Sequence, residues 1–246
     1  MRQLGLIGRT LGHSFSAKYF AEKFEREGLS EKFSYKLFEL PEIGDVEGLI
    51  AENPNLIGFN VTIPYKEQII PYLDDLSAEA RNIGAVNCVK ILSDGRRFGY
   101  NTDVDGIRLT LDRLLGDECV GSALVLGSGG ASKAVKFVLG ERGIKCLVVS
   151  RNSNSGDITY GELSEEVIAH NKLIINASPV GTYPNIDVAP ALPYPLLASE
   201  HRLFDLVYNP DVTLFMKRGA ERGARVVSGI DMLYAQAESA WRIWNE

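Results

Sequence analysis

The sequence predicts a two-domain α/β protein, with an N-terminal α/β domain followed by a nucleotide-binding domain of the Rossmann type. Three observations predict it. Short apolar runs alternate with amphipathic ones through the first half of the chain, the pattern of strands and helices built around a largely parallel sheet. Residues 124–139, LVLGSGGASKAVKFVL, read as an apolar strand, a glycine-rich turn and a helix. Roughly twenty residues further on, the spacing of a βαβ nucleotide-binding unit, LVVSRNS reads as a second strand ending at Arg151.

In chain order, LGLIG (4–8) reads as a strand. Residues 16–27 place Tyr19, Phe20 and Phe24 at helical spacing, and Gly28 ends that helix. YKLFEL (35–40) is a strand stopped by Pro41, DVEGLIAEN (45–53) a short helix, and LIGFNVTI (56–63) a strand stopped by Pro64. EQIIPYL after Lys66 reads as a short helix. Residues 84–92 and 97–102 are two strands joined by an Asp-Gly turn, and 104–116 is a helix. After the βαβ unit come strands at 172–178, 202–208 and 225–229, separated in part by a proline-rich stretch at 179–195. The last helix, 230–244, carries Met232, Leu233, Ala237, Trp241 and Trp244 on roughly one face. No repeat or flexible linker interrupts the chain. The expected division is therefore 1–102 with 230–246 as the substrate-binding domain and 103–229 as the nucleotide domain, with the ligands in a cleft between them.

The turn sets the reaction class. Glycines at 127 and 129 fit the first two slots of G-x-G-x-x-G, and Ser132 takes the third. Such glycines let backbone approach a pyrophosphate, whose charge the unpaired N–H groups of the following helix attract. Arg151 stands near the position where an NAD-specific site carries a carboxylate for the ribose hydroxyl. A guanidinium there favours a 2′-phosphate, hence NADP; the alternative for Arg151 is a solvated loop cation.

Composition narrows the rest. With 246 residues, 45% of them hydrophobic and 24% charged, the chain has the make-up of a soluble globular enzyme. A net charge of −6 argues against a nucleic-acid surface. Cys88, Cys119 and Cys146 are scattered and read as buried, reduced thiols, which suggests the cytoplasm. His13, His170 and His201 are far apart and no metal-ligand spacing occurs, so no metal is expected. No segment reaches membrane-spanning length. The state expected is monomer or homodimer.

Several polar residues stand where chemistry is possible, each with a structural alternative. In GFNVTIPYK (58–66), Asn60 and Thr62 share one strand face, and Lys66 follows at a helix start, either as a surface lysine or as a working one. Asn101, Thr102 and Asp103 precede a helix and either cap it or act on substrate. Asn87 is polar in an apolar strand. Ser14 and Ser16 either cap the first helix or bind an anion at its start. Gln236 lies on the last helix.

Taken in order, GHSFS, NVTIPYK, GAVN, GYNTDVDG, GSGGASKA, NASPVGTYP, DLVYNP and SGIDMLYAQA resemble the shikimate dehydrogenase family over nearly the whole chain. The resemblance implies reversible NADPH-dependent reduction of 3-dehydroshikimate to shikimate, on the route to aromatic amino acids. It implies Lys66 as general acid–base with Asp103 as its partner. Ser14 and Ser16, with Tyr208, would bind the substrate carboxylate, and Asn60, Thr62, Asn87, Asp103 and Gln236 the ring hydroxyls. Gly127, Ser128, Gly129, Gly130 and Ala131 would carry the pyrophosphate. Ser150, Arg151 and Asn152 would face the adenosine phosphate, and Val207, Gly229 and Met232 would lie near the nicotinamide.

The chain departs from the family pattern at three places. Ala17 replaces a proline, the phosphate clamp N-R-T-x-x-R is S-R-N-S-N-S with Ser155 in place of its second arginine, and N-A-T-S-x-G-M is N-A-S-P-V-G-T. The alternatives are a quinate/shikimate dehydrogenase with relaxed cofactor use and a non-catalytic NADP-binding sensor. Retention of Lys66, Asp103 and the polar set around them argues against the sensor.

Overall fold

The computed structural model describes residues 1–12 and 14–246; His13, in the GHSFS segment, lies outside the described residues. The chain forms two compact units, Met1–Thr102 with Ala237–Glu246, and Asp103–Gln236.

The first unit contains β1 (Arg2–Gly8), α1 (Phe15–Arg26), β2 (Phe33–Glu39), α2 (Val46–Glu52), β3 (Leu56–Val61), β4 (Asp75–Leu76), α3 (Ala78–Ile83), β5 (Cys88–Ile91) and β6 (Arg97–Tyr100). The sheet order is β2-β1-β3-β5-β6-β4. β1 runs parallel to both its neighbours, and its Leu4, Leu6 and Ile7 are buried, as a strand covered on both faces requires. β5 is antiparallel to β3 and to β6. The β5–β6 turn is the expected one: Leu92 N–H donates to the Arg96 carbonyl at 2.8 Å around Asp94-Gly95.

The second unit contains α4 (Asp103–Leu115), β7 (Ser122–Leu126), α5 (Gly130–Glu141), β8 (Lys145–Ser150), β9 (Ile158–Thr159), α6 (Glu165–His170), β10 (Leu173–Asn176), β11 (Arg202–Asp205), α7 (Leu214–Ala220) and β12 (Arg225–Val227). Its sheet, β12-β11-β10-β7-β8-β9, is parallel throughout. Counted within the unit this is the 6-5-4-1-2-3 order of the dinucleotide-binding fold, and chain order reverses between β7 and β10, the point where such sheets bind ligands at their C-terminal edge. Its core includes Leu124, Leu126, Ile174, Leu203 and Phe215. α8 (Ile230–Asn245) runs through the division after Gln236, where the sequence suggested the whole helix would belong to the first unit.

The C-terminal part of α8 is held in the first unit by an aromatic and ionic cluster. Trp244 Nε1 donates to the Val89 carbonyl at 3.0 Å. Lys23, 4% exposed, places Nζ 2.9 and 3.0 Å from the two Glu238 carboxylate oxygens, 2.8 Å from Glu27 Oε1 and over the Trp241 ring. The Tyr19 hydroxyl also donates to Glu238. A buried ammonium is tolerated only with such partners.

Gly58 lets the indole lie on the sheet. A Cβ there would stand 2.4 Å from Trp244 Nε1 and 2.6 Å from the Val89 carbonyl oxygen, and both residues are buried. Gly58→Ala is expected to lower the unfolding free energy by about 3 kcal/mol, the upper range of overpacking costs, measured by denaturant titration; a loss below about 1 kcal/mol would show that Trp244 repacks freely.

Three expectations need correction. Residues 67–73 form no α-helix: the chain after Pro64 makes successive turns and one 3-10 turn at Ile70–Tyr72. Pro71 lacks the N–H that a helix from Glu67 needs and its ring would clash with the preceding turn. Lys66 therefore sits on a tight turn, not at a helix N-terminus. Cys119 is exposed and Cys146 half-buried; of the three cysteines Cys88 alone is buried. The short elements α3, α6, α7, β4 and β9 are too brief to carry a periodic sequence signal. No helix among the described residues is long and apolar enough to cross a membrane.

Candidate active site

In the first unit, three of the polar residues picked out from the sequence, Asn60, Asn87 and Thr102, are joined by hydrogen bonds. Asn60, at the C-terminal end of β3, donates through Nδ2 to the Asn87 carbonyl at 3.2 Å. Asn87 in turn donates to Thr102 Oγ1 at 3.0 Å and accepts from the Thr102 N–H at 2.7 Å. Asn60, Asn87 and Thr102 are all buried. The Lys66 carbonyl accepts the Val86 N–H at 2.7 Å, which fixes the lysine's turn beside the Asn87 segment. Thr62, half-buried, continues from β3 with its N–H on the Ile7 carbonyl.

Tyr35 joins this set and was missed in the sequence. Its hydroxyl donates to Asn60 Oδ1 at 2.8 Å and is hydrogen-bonded by Ser16. Burial pushes Tyr35 well above a tyrosine's usual pKa, and the Ser16 hydroxyl draws it partly back. Tyr35 pairs with Leu4, and Asn60 with Leu6, on opposite sides of β1, so the ring reaches across the middle strand. In sequence it is indistinguishable from a core aromatic.

Ser14 stands at the N-cap of α1 with no side-chain cap bond, and its buried Oγ has no hydrogen-bond partner among the described residues. Asn101 donates to the Ala85 carbonyl at 2.9 Å and leaves a buried Oδ1 likewise without a partner. Buried polar atoms are rarely left so, and each marks a place where a ligand's hydrogen bond would be accommodated. The cap considered for Ser14 is thus not made, and the Thr102 hydroxyl accepts from Asn87.

In the second unit, Gly127 ends β7 with φ +110° and its N–H on the Val149 carbonyl, a conformation other residues rarely adopt. Gly129 caps α5, and the space a Cβ would occupy there is open. Ser128 is exposed, Gly130 and Ala131 begin α5, and their N–H groups belong to the first turn, which has no intrahelical acceptors. Ser132, in the third motif slot, is buried against the sheet side. These features fit a pyrophosphate.

The turn after β8 is closed by its own small polar residues. Ser150 Oγ lies 2.8 Å from Ser155 Oγ, Asn152 N–H points to Ser150 Oγ at 3.3 Å, and Asn154 N–H donates to Asn152 Oδ1 at 2.9 Å. Arg151 is exposed and has no hydrogen-bond or ion-pair partner among the described residues, so its guanidinium is available to an anion at the C-terminal edge of β8. Burial pushes the nearby Tyr160 up in pKa, and the Arg151 charge draws it partly down.

Of the remaining predicted residues, Gly229 N–H donates to the Val207 carbonyl at 3.2 Å, which brings those two together. Met232 packs its backbone and side chain on Gly106 of α4. Asp103, buried, is the first residue of α4; Tyr208 is half-buried. Gln236 is buried, not solvated, and its Nε2 donates to the Leu233 carbonyl at 2.9 Å, leaving Oε1 as acceptor.

A second residue missed in the sequence is Asp205, wholly buried at the end of β11. Burial pushes its pKa up from 3.8 to about 6, against the hydrogen bonds of Thr213, the Val207 N–H and Asn176, which favour the ionised form. The folded protein then binds this proton more tightly than the unfolded chain, so Asp205's contribution to stability falls as pH rises from about 4 through 6 and is lowest above it. The span corresponds to about 3 kcal/mol. On going from pH 7 to pH 4, wild type is expected to gain about 2 kcal/mol of this relative to Asp205→Asn in denaturant titrations; a difference between the two proteins that is constant with pH would refute it.

Several known proteins are similar to the chain. The profile of the shikimate dehydrogenase substrate binding domain matches residues 6–89. The chain is 39% identical over its full length to the shikimate dehydrogenase (NADP(+)) of Clostridium beijerinckii, 93% of which is covered. The structure of shikimate 5-dehydrogenase from Thermus thermophilus in complex with NADP(H) and shikimate is similar with a TM-score of 0.86 at 33% identity, covering 99% of this chain and 93% of that one. Quinate dehydrogenase from Corynebacterium glutamicum in complex with NAD gives a TM-score of 0.88 at 26% identity, with the same shares covered.

Proposed function

The chain belongs to the shikimate dehydrogenase family, and we propose that it interconverts 3-dehydroshikimate and shikimate with NADP, Lys66 moving the proton. The observation that carries the substrate half is the connected polar set of Ser16, Tyr35, Asn60, Asn87 and Thr102 beside the Lys66 turn. A ring bearing several hydroxyls and a carboxylate matches such a set, which would leave buried groups unpaired with an analogue lacking a hydroxyl.

Ser14 and Ser16 bind the carboxylate in this reading, with Tyr208. Asn60, Thr62, Asn87, Asp103 and Gln236 hold the ring hydroxyls. NADPH, when bound, would supply the hydride for the ketone carbon in reduction. Lys66 Nζ gives a proton to the oxygen that gains charge, and in oxidation takes it back, with Asp103 as its carboxylate partner. Gly127, Ser128, Gly129, Gly130 and Ala131 would hold the pyrophosphate, and Ser150, Arg151 and Asn152 the adenosine phosphate. Val207, Gly229 and Met232 would face the nicotinamide.

We place the enzyme in the cytoplasm, on its three unbridged cysteines, as a monomer or homodimer. The test is oxidation of shikimate and of quinate by purified protein, with NADP and with NAD, followed by reduced-nicotinamide absorbance. Turnover of shikimate with preference for NADP is expected. Better turnover of quinate, or equal use of NAD, would move the protein to the quinate/shikimate reading. NADP binding without turnover would make it a sensor.

A further inference from the structure

We propose that Asp205 is a positioning residue for the cofactor's nicotinamide half, gathering the backbone segments that leave three neighbouring strands of the second unit. The inference rests on the reading that the nicotinamide lies against Val207, Gly229 and Met232.

Asp205 is 0% exposed, and its hydrogen-bond partners among the described residues are neutral. Each partner comes from a different segment. Asn176 Nδ2, at the end of β10, donates to Oδ1 at 2.9 Å. The Val207 N–H, just past β11, donates to the same oxygen at 3.0 Å. Thr213 Oγ1, which caps α7, donates to Oδ2 at 2.6 Å. The titratable group that feels its charge is the neutral Tyr194, whose ionisation it disfavours; Arg218 of α7 holds its guanidinium over the Tyr194 ring.

The ties extend outward from these three. Asn176 Oδ1 accepts from Ser178 through both N–H (3.1 Å) and hydroxyl (2.6 Å), and its amide also reaches the Val180 carbonyl at 3.2 Å. On the other side, the Val207 carbonyl accepts the Gly229 N–H, and Gly229 lies so close to Leu206 that a Cβ would stand 2.3 Å from its carbonyl oxygen. One buried carboxylate thereby sets the segments after β10, β11 and β12 at the C-terminal edge of the sheet, next to the point where its order reverses.

An apolar residue would fill this site with no desolvation cost, since a buried charge is a poor source of stability. What the carboxylate adds is two acceptor oxygens that fix several donors in one geometry, the requirement of a preorganised site.

Calorimetric binding of NADP and of 2′,5′-ADP separates this role from a general loss of structure, because 2′,5′-ADP lacks the nicotinamide. In Asp205→Asn, one acceptor becomes a donor facing donors. NADP affinity is expected to fall about 10- to 30-fold, the loss of charge-assisted hydrogen bonds, while 2′,5′-ADP binding stays within about twofold. Thr213→Val, which removes the donor to Oδ2 with little change of shape, should give the same pattern more weakly and carries the test if Asp205→Asn does not fold.

Equal loss for both ligands in the folded variants, or no loss for either, overturns the proposal. Val207→Trp supplies the control for the underlying placement. If it weakens NADP alone while the Asp205 and Thr213 variants do not, the nicotinamide placement stands and the role of Asp205 is refuted. If it leaves NADP binding unchanged, the placement is wrong and the proposal goes with it.

Discussion

Lys66→Ala is expected to lower kcat for shikimate oxidation by ~10²–10⁴-fold, the range a positioned general acid–base contributes, with KM for shikimate changed by less than about threefold. The reaction removes a hydride from carbon and a proton from oxygen, and water at the site is a poor substitute for an amine held at the hydroxyl. The turn that carries Lys66 is fixed by its own carbonyl on Val86 and by Tyr65, whose buried ring donates its hydroxyl to the Leu40 carbonyl at 2.6 Å. The side chain therefore starts from a rigid base, and its loss should leave the fold unchanged.

Lys66→Arg distinguishes proton transfer from charge. A guanidinium keeps the positive charge but does not release a proton near neutral pH, so the arginine variant should be about as slow as the alanine one. Steady-state kinetics of both variants check this. Activity within about tenfold of wild type in Lys66→Ala would remove Lys66 from the chemistry. Near-normal activity in Lys66→Arg alone would make it an electrostatic residue.

Arg151→Ala is expected to raise KM for NADP by about 10- to 100-fold, the worth of a hydrogen bond to a charged group, and KM for NAD by less than about twofold. Arg151 is exposed and has no hydrogen bond or ion pair among the described residues, so its removal breaks none. The neighbouring Ser150, Asn152 and Ser155 bond one another and close the turn without it. Under the proposed placement, discrimination at this turn would depend on one guanidinium where the family pattern carries two arginines. Parallel kinetics with the two cofactors test it. Equal changes in both KM values would separate Arg151 from the 2′-phosphate.

Much of this was legible in the sequence because it is local. The unit β7–α5–β8 is written in one continuous stretch: an apolar run, glycines where the backbone must turn, and a helix directly after. Asn60 and Asn87 stood out as polar residues in apolar strands, and Lys66 as a cation following the strand stopped by Pro64. The helix placed after Lys66 was the local reading that failed, because Pro71 removes a donor in what would be its interior. The short helices α3, α6 and α7 left no periodicity to find, and packing of one or two apolar residues each holds them in place.

By itself the sequence determined the alternation of strands and helices, the nucleotide turn, the cation that follows it and the residue types of the candidate site. Each depends on neighbours within a few positions, where steric and hydrogen-bonding rules act directly. Only the tertiary structure decided the roles of Tyr35 and Asp205. Tyr35 meets Asn60 across the intervening strand β1, and Asp205 is joined to Asn176 and Thr213 from separate segments. In a one-dimensional reading the first is one more core aromatic and the second an ordinary acidic residue at a strand end. Burial makes the difference: once water is excluded, a hydroxyl or carboxylate must find partners inside the protein, and those partners come from wherever the fold brings them.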